Sequence, residues 1–436
     1  MRRFNPRIEA ALLSVNNNSH IIRRRQVPRR GSAARGLSDP NPFAVSDPIM
    51  PTTPYPIRSE VLAFDPYSPG LSIDEIRDRF DLSTVIKMAS NENPLGTSPF
   101  VSREITNRAA FAFRYAQSGN PRLVAALAEH HGIPAANIIP GNGSDEVIDL
   151  LIRVCPTPGV HNIVACKPSF SMYRIQSCLC GVEFRTVPLK PDFSFDWEGL
   201  RAAVDDKTAL VFITTPDNPS GWCPPAVDVE AFAASLPESC LLVIDEAYMD
   251  FCRDEAACSL LPRFSAFPNL VVLRTFSKSY GMAGIRLGYG IMPQPLADAM
   301  RSVHMPFSVN ILAESAGIAA LQDTAFYDLT LRTVRGGRDF LTEKLAALGC
   351  RVYPSEANFI MFQPPESCGR DAAGIFEYLL SRGLIIRPLK SYGLPRHLRV
   401  SIGTGDENKR FLSLLQEAVA SLPQEAVASL PQEALA

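Results

Sequence analysis

The chain has 436 residues, of which 46% are hydrophobic and 20% charged, and a formal net charge of −2. That is ordinary globular composition, with enough apolar sequence for a large core and two domains. It excludes nucleic acid or a membrane surface as the main partner, and no apolar run nears the roughly 20 residues of a membrane span.

Residues 1–49 stand apart. Arginines at 2, 3, 7, 23, 24, 25, 29, 30 and 35 face a single acid, Glu9, before Asp39, and no apolar period is sustained. Two readings stay open: an organelle transit peptide, or a disordered extension ahead of ordered sequence that begins near Met50. The second is preferred. Residues 50–95 are expected to form an N-terminal arm and part of a smaller domain. The ten cysteines are scattered, several in apolar runs (Cys166, Cys240, Cys350). None makes a CxxC pair or a Cys/His cluster with metal-ligand spacing, so no metal is expected. Reduced, buried thiols in a cytoplasmic protein are the reading.

Over residues 96–300, short apolar runs alternate with amphipathic stretches. The runs are Ile163–Cys166, Leu210–Thr214, Leu241–Ile244, Leu270–Leu273 and Ile285–Ile291; the stretches include Leu123–His131, Glu146–Arg153 and Asp228–Leu236. This pattern predicts an α/β domain with a large, doubly wound, mostly parallel sheet covered by helices. After residue 300 a long helical region runs through Leu348. Short strands are then expected at Asn358–Phe362, Leu384–Arg387 and Leu398–Ile402, giving a smaller α+β domain over 301–420. A helix from about Glu407 to Leu422 closes it. Gln416–Pro423 recurs verbatim at Gln424–Pro431. The unit is too short for a solenoid and its prolines interrupt a helix, so 421–436 reads as a repetitive tail.

The chemistry-bearing motifs fall at the ends of the expected strands. Gly141-Asn-Gly-Ser-Asp-Glu146 opens a helix. Ser144 can cap it, and Asp145 and Glu146 favour its dipole; the same turn also offers backbone N–H groups to an anion. Phe170 follows the run ending at Cys166, as either a core aromatic or a stacking platform. Asn218 lies in Asp-Asn-Pro-Ser-Gly, good turn chemistry that also places an amide donor. Asp245 ends a wholly apolar run, a costly place for a carboxylate unless a cation pairs with it; Tyr248 follows.

Leu270–Leu273 leads into Thr275-Phe-Ser-Lys278, and Arg286 sits in the next apolar run. A lysine in such sequence has its charge disfavoured, and a desolvated amine is what forms Schiff bases with carbonyl cofactors. Thr275, Ser277 and Arg286 can hold a phosphate. Each motif read alone is also plain turn, cap or core chemistry. Together they are the parts that hold pyridoxal 5'-phosphate. Asp245 would keep the ring nitrogen protonated, and Asn218 and Tyr248 would bond its phenolic oxygen.

With these motifs the chain resembles the fold-type I pyridoxal phosphate aminotransferases, and within them the histidinol-phosphate aminotransferase family, from about Tyr67 to Leu415. The resemblance rests on Pro66-Tyr-Ser-Pro-Gly70, Ala89-Ser-Asn-Glu-Asn-Pro-Leu-Gly96, Gly141–Glu146, Thr215–Gly221, Val243–Tyr248, Arg274–Gly281 and Leu398–Thr404. The Asn-Glu-Asn-Pro segment and the Arg-Thr-Phe-Ser-Lys wording point to the histidinol-phosphate branch. It implies that Lys278 is the catalytic, Schiff-base lysine. Cofactor contacts would come from Asp245, Tyr248, Asn218, Phe170, Ser277, Arg286, Gly143, Ser144 and Asp145, with Phe170 standing where the family usually has tyrosine.

By the same resemblance Tyr67, Asn93, Arg387, Arg399 and Asn358 would bind substrate. The chain would be a homodimer in which Tyr115 reaches the neighbouring subunit's cofactor phosphate, although the family's Arg-Tyr-Pro here reads Arg114-Tyr115-Ala116. The implied reaction, in histidine biosynthesis, interconverts histidinol phosphate plus 2-oxoglutarate with imidazole-acetol phosphate plus glutamate. Aromatic-amino-acid aminotransferase and threonine-phosphate decarboxylase are the alternatives within the fold. A ligand-sensing regulator would need a DNA-binding domain, and residues 1–49 lack the helix periodicity for one.

Overall fold

The structure is a computed structural model and describes residues 55–58, 61 and 71–420. The expectations for residues 1–49, Tyr67 and 421–436 lie outside the described residues. All the described residues belong to one unit that starts at Tyr55.

The first strand, β1 (Ile86–Lys87), belongs to a small sheet taken up below. The next strands, β2 (Ile138–Gly141), β3 (Asn162–Lys167), β4 (Glu183–Pro188), β5 (Thr208–Thr214), β6 (Leu241–Asp245), β7 (Leu270–Thr275) and β8 (Gly288–Ile291), build a seven-stranded sheet in the order β2-β8-β7-β6-β5-β3-β4. Only β8 runs antiparallel to its neighbours; the β7-β6-β5-β3-β4 pairs are parallel. Successive side chains of a strand point to opposite faces. Val211, Ile213, Leu242, Ile244, Leu270 and Val272 therefore enter one core, with Leu123, Leu127, Val229, Phe232 and Ala316 from helices. Their sequence neighbours Leu210, Phe212, Val243, Val271 and Leu273 enter the other, with Val147, Ile148, Leu151, Tyr173 and Met300. Both faces are covered, which is why these strands read as unbroken apolar runs. Each such side chain contributes about 1.5–3 kcal/mol on burial.

Strands β9 (Arg351–Val352), β10 (Phe359–Gln363), β11 (Leu384–Ile385), β12 (Arg387–Pro388) and β13 (Leu398–Ser401) follow the helix Thr324–Ala347. Four of them form an antiparallel sheet in the order β12-β13-β10-β9. It packs Phe359, Phe362, Leu398 and Val400 against Val334, Leu341, Phe411 and Leu415. The fifth, β11, pairs in parallel with β1.

Two expected strands are corrected. Leu384–Arg387 is not one strand: Ile385 packs with Ile76, Ala89 and Leu380, whereas Ile386 enters the core of the four-stranded sheet. The chain passes there from one sheet to another. The strand expected at Ile285–Ile291 begins only at Gly288, because Arg286 has φ +61° and a left-handed residue ends extended backbone. No helix of the described residues is long and apolar enough to cross a membrane.

Candidate active site

The parallel neighbours β5, β6 and β7 end at Thr214, Asp245 and Thr275, and ligands of open α/β sheets sit beyond such carboxyl ends. A cavity lies there. It brings together Ser144, Asp145, Phe170, Asn218, Asp245, Tyr248, Ser277, Lys278 and Arg286 from six separate segments, with Thr214 and Thr275 beside them.

Asp245 is 4% exposed. Its Oδ2 accepts from the Tyr173 hydroxyl at 2.7 Å and its Oδ1 from the Ala247 N–H at 3.1 Å. The Tyr173 hydroxyl also meets Thr214 Oγ1 at 2.8 Å, and its ring stacks on Phe212 with centroids 4.4 Å apart. Burial pushes the Asp245 carboxyl up to about 6. A carboxylate held by neutral donors in an apolar strand end favours a cationic N–H partner.

Lys278 follows β7 and its Nζ donates to the Ser90 carbonyl at 3.3 Å, 5.6 Å from the centre of the Tyr248 ring. Burial, aided by the Arg399 charge, pulls its amine down to about 8. Its loop is anchored from both sides. The Ser279 hydroxyl donates to Asp250, and Asn93 Nδ2 donates to the Ser279 carbonyl at 2.8 Å. Arg274, 5% exposed, binds Glu246, Asp250 and Glu255 in turn, tying the segment after Tyr248 to the strand that feeds Lys278.

At the opposite end of the cavity, the helix Ser144–Val154 points its first turn inward. Ser144, expected as the cap, is instead the first helical residue. The cap position is Gly143 at φ +81°, and no side chain bonds the first-turn N–H groups. Backbone geometry explains the shift, since only glycine adopts that φ without strain. A Cβ on Gly143 would lie 2.4 Å from an Arg286 Nη. Arg286 donates to Asp145 Oδ2 at 2.9 Å and to the Ala283 carbonyl at 3.1 Å, and reaches Ser277 Oγ at 3.5 Å. The Thr275 hydroxyl accepts from the Ser277 N–H at 3.1 Å, which shapes this turn. Uncapped N–H groups, a guanidinium and a hydroxyl form an anion cup.

Arg399, on β13, is 5% exposed. It donates to Oδ1 of Asn218 and, at 3.1 Å, to the Ala89 carbonyl, while its Nε has no hydrogen-bond partner. Arg387 on β12 stands directly opposite Arg399 in the register, so the two share a sheet face. Tyr248 Oη accepts from Asn91 Nδ2 at 3.1 Å. Asn358 Nδ2 donates to the Asn91 carbonyl at 2.9 Å. Gly143, Asn93, Asn358, Arg387, Arg399 and Tyr115 do not line the cavity, although Arg399 touches it through Asn218. Tyr115 is 80% exposed and stacks on Phe307 at 4.6 Å.

Sequence reasoning missed Tyr173, Asn91 and the Arg274 cluster. Tyr173 is three residues from Phe170 on one helix turn, and Arg274 is an arginine inside an apolar strand; those were the available signals. Asn91 offered none beyond its motif.

The model of the class I and II aminotransferase family matches residues 83–415. The histidinol-phosphate aminotransferase of Nitratidesulfovibrio vulgaris is 64% identical over 364 residues, 84% of this chain and 96% of that protein. That of Oleidesulfovibrio alaskensis is 60% identical over 376 residues, 86% of this chain and 98% of that protein. Among solved structures, the histidinol-phosphate aminotransferase of Sinorhizobium meliloti in complex with pyridoxal-5'-phosphate superposes with a TM-score of 0.74 at 29% identity, over 83% of this chain and 97% of that one. The chain therefore belongs to the class I and II aminotransferases and, within them, to the histidinol-phosphate aminotransferase family.

Proposed function

We propose that this protein is a pyridoxal 5'-phosphate-dependent histidinol-phosphate transaminase, interconverting histidinol phosphate plus 2-oxoglutarate with imidazole-acetol phosphate plus glutamate in histidine biosynthesis. The observation that carries the chemistry is one cavity that joins the Lys278 amine, the buried Asp245 carboxyl and the Arg286 cup. The substrates follow from the relatives' names and their identity along nearly their whole length.

The donor set fits a planar, phosphorylated aldehyde. Asp245 is buried without a cation beside it, Gly143 leaves a cradle that a Cβ would fill, and Lys278 has an amine near neutrality. Asp245 would hold the ring nitrogen, Asn218 and Tyr248 the ring oxygen, Phe170 one ring face. The first-turn backbone N–H groups at Ser144 and Asp145, with Ser277 and Arg286, would hold the phosphate, with Gly143 permitting the approach. When bound, the cofactor supplies an electron sink for the electrons of the substrate's Cα–H bond.

The protein's own part is proton transfer and orientation. Lys278 Nζ accepts the Cα proton of the amino substrate and, in the return half, delivers a proton to Cα of the keto substrate. Asp245 keeps a proton at the ring nitrogen. Arg399, with Arg387 beside it on the same sheet face, receives the anionic end of each substrate; a guanidinium fork accepts carboxylate or phosphate alike. Asn93 and Asn358 act behind these groups, through Ser279 and Asn91. We divide the chain into a large domain over 96–300, which carries Lys278, and a small one over 301–420, which carries Arg399.

The protein acts in the cytoplasm as a homodimer. The exposed Tyr115, stacked on the exposed Phe307 at 4.6 Å, offers apolar surface suited to a second copy. The function is tested by following the absorbance of the bound cofactor on adding glutamate and, separately, histidinol phosphate. Both should convert it, without release of carbon dioxide. Conversion by aromatic amino acids or aspartate alone, or decarboxylation, would replace this reading with one of its alternatives.

A further inference from the structure

Three of the ten cysteines meet in space. The sulfurs of Cys223, Cys252 and Cys258 all lie within 4.8 Å of one another. Cys223 comes from the loop after β5 that carries Asn218. Cys252 follows the turn Met249–Phe251 directly after Tyr248, and Cys258 ends the short helix Glu255–Cys258. No sequence motif announces them, because the loop that supplies Cys223 is remote in the chain from the other two. All three are free thiols; Cys252 is 1% exposed and the others are half-buried.

We propose that Cys223, Cys252 and Cys258 form a thiolate site for a soft d10 cation, zinc or copper(I). Thiolates are the ligands that select these ions. Around a common zinc at Zn–S of about 2.3 Å, sulfurs sit about 3.8 Å apart, so small side-chain rotations close the observed spacing. A pair of thiols would suit a disulfide; three converging sulfurs suit a metal. Charges of both signs stand near the sulfurs: the carboxylates of Glu356 and Asp254 face Cys258, and two arginines reach the Cys252 segment. Arg335 donates to the carbonyls of Asp250 and Cys252, and Arg338 to that of Phe251. On binding, each thiol gives its proton to solvent as its sulfur–metal bond forms, and no electron moves. The ion clasps the loop of Asn218 to the segment that follows Tyr248. This site stands independently of the substrate assignment, since its readouts are metal and thiol counts.

The test uses the full-length holoenzyme, reduced, then exposed separately to zinc and to copper(I) without oxygen and dialysed. One equivalent of zinc or copper(I) per chain should remain, and the half-buried Cys223 and Cys258 should become unreactive toward a thiol reagent. Cobalt(II) in place of zinc should give a thiolate-to-metal charge-transfer band. Cys258→Ser should weaken retention at least about tenfold, since losing even a group that supports a ligand costs about 10- to 100-fold, with the bound-cofactor absorbance unchanged as the sign of an intact fold. Cys350→Ser, a buried thiol elsewhere, should retain the ion. Retention of neither ion overturns the proposal. So does equal retention by Cys258→Ser and the parent, or loss of two thiols to a disulfide when metal is absent.

Discussion

The Arg399 guanidinium donates to the side-chain oxygen of Asn218 across the gap between the four-stranded and seven-stranded sheets. The bond fixes the Asn218 amide with its oxygen toward Arg399, leaving its NH2 as a donor on the other side. One contact thereby couples the group proposed to anchor substrate to the group proposed to bond the ring oxygen.

Arg399→Lys removes that fork. Charge-assisted hydrogen bonds are worth about 1.5–3 kcal/mol each, so kcat/KM for both substrates should fall about 10- to 100-fold. Steady-state kinetics with glutamate and with histidinol phosphate check it. A loss confined to one substrate would show that Arg399 does not serve both.

Gly143→Ala puts a methyl 2.4 Å from the Arg286 guanidinium at a backbone φ of +81°. Strain of about 1–3 kcal/mol and the displaced arginine should raise the dissociation constant for the phosphorylated cofactor about tenfold or more. Titration of apoprotein measures it directly.

The amine of Lys278 is held at about 8, below its ordinary 10.5, first by burial and then by the Arg399 charge. The neutral amine is the reactive form, and its share grows as pH rises toward the pKa. The rate of cofactor capture by apoprotein should therefore rise about tenfold per pH unit below that value and level off above it. Arg399→Ala should move the midpoint upward. A midpoint near 10 in the parent would show an unperturbed lysine.

Among the described residues, Arg274 is the cation ion-paired with the buried carboxylates Glu246 and Asp250. Arg274→Ala should destabilise the protein by about 3–5 kcal/mol, seen as a lowered midpoint of chemical unfolding in the apoprotein.

Much of this was legible in the chain. Strands buried on both faces announce themselves as apolar runs, so β5, β6 and β7 and the residues at their ends, Asp245 and Thr275, could be placed from sequence. Local backbone was less legible. The left-handed Arg286 cut the last strand short, and the glycine at 143 took the cap position from Ser144, because φ depends on tertiary packing against Gly288 and Arg286. Long-range partners were least legible. Nothing near Asp245 in sequence announces the Tyr173 hydroxyl, and nothing near Cys223 announces Cys252.

The most direct measurement is made on Lys278→Ala. Reconstituted with pyridoxal phosphate, it should still bind the cofactor through Asp245, Tyr248 and the Arg286 cup. It should fail to convert it with glutamate or histidinol phosphate, because no group remains to move the Cα proton. Near-normal turnover in that variant would contradict the role assigned to Lys278 and with it the whole site.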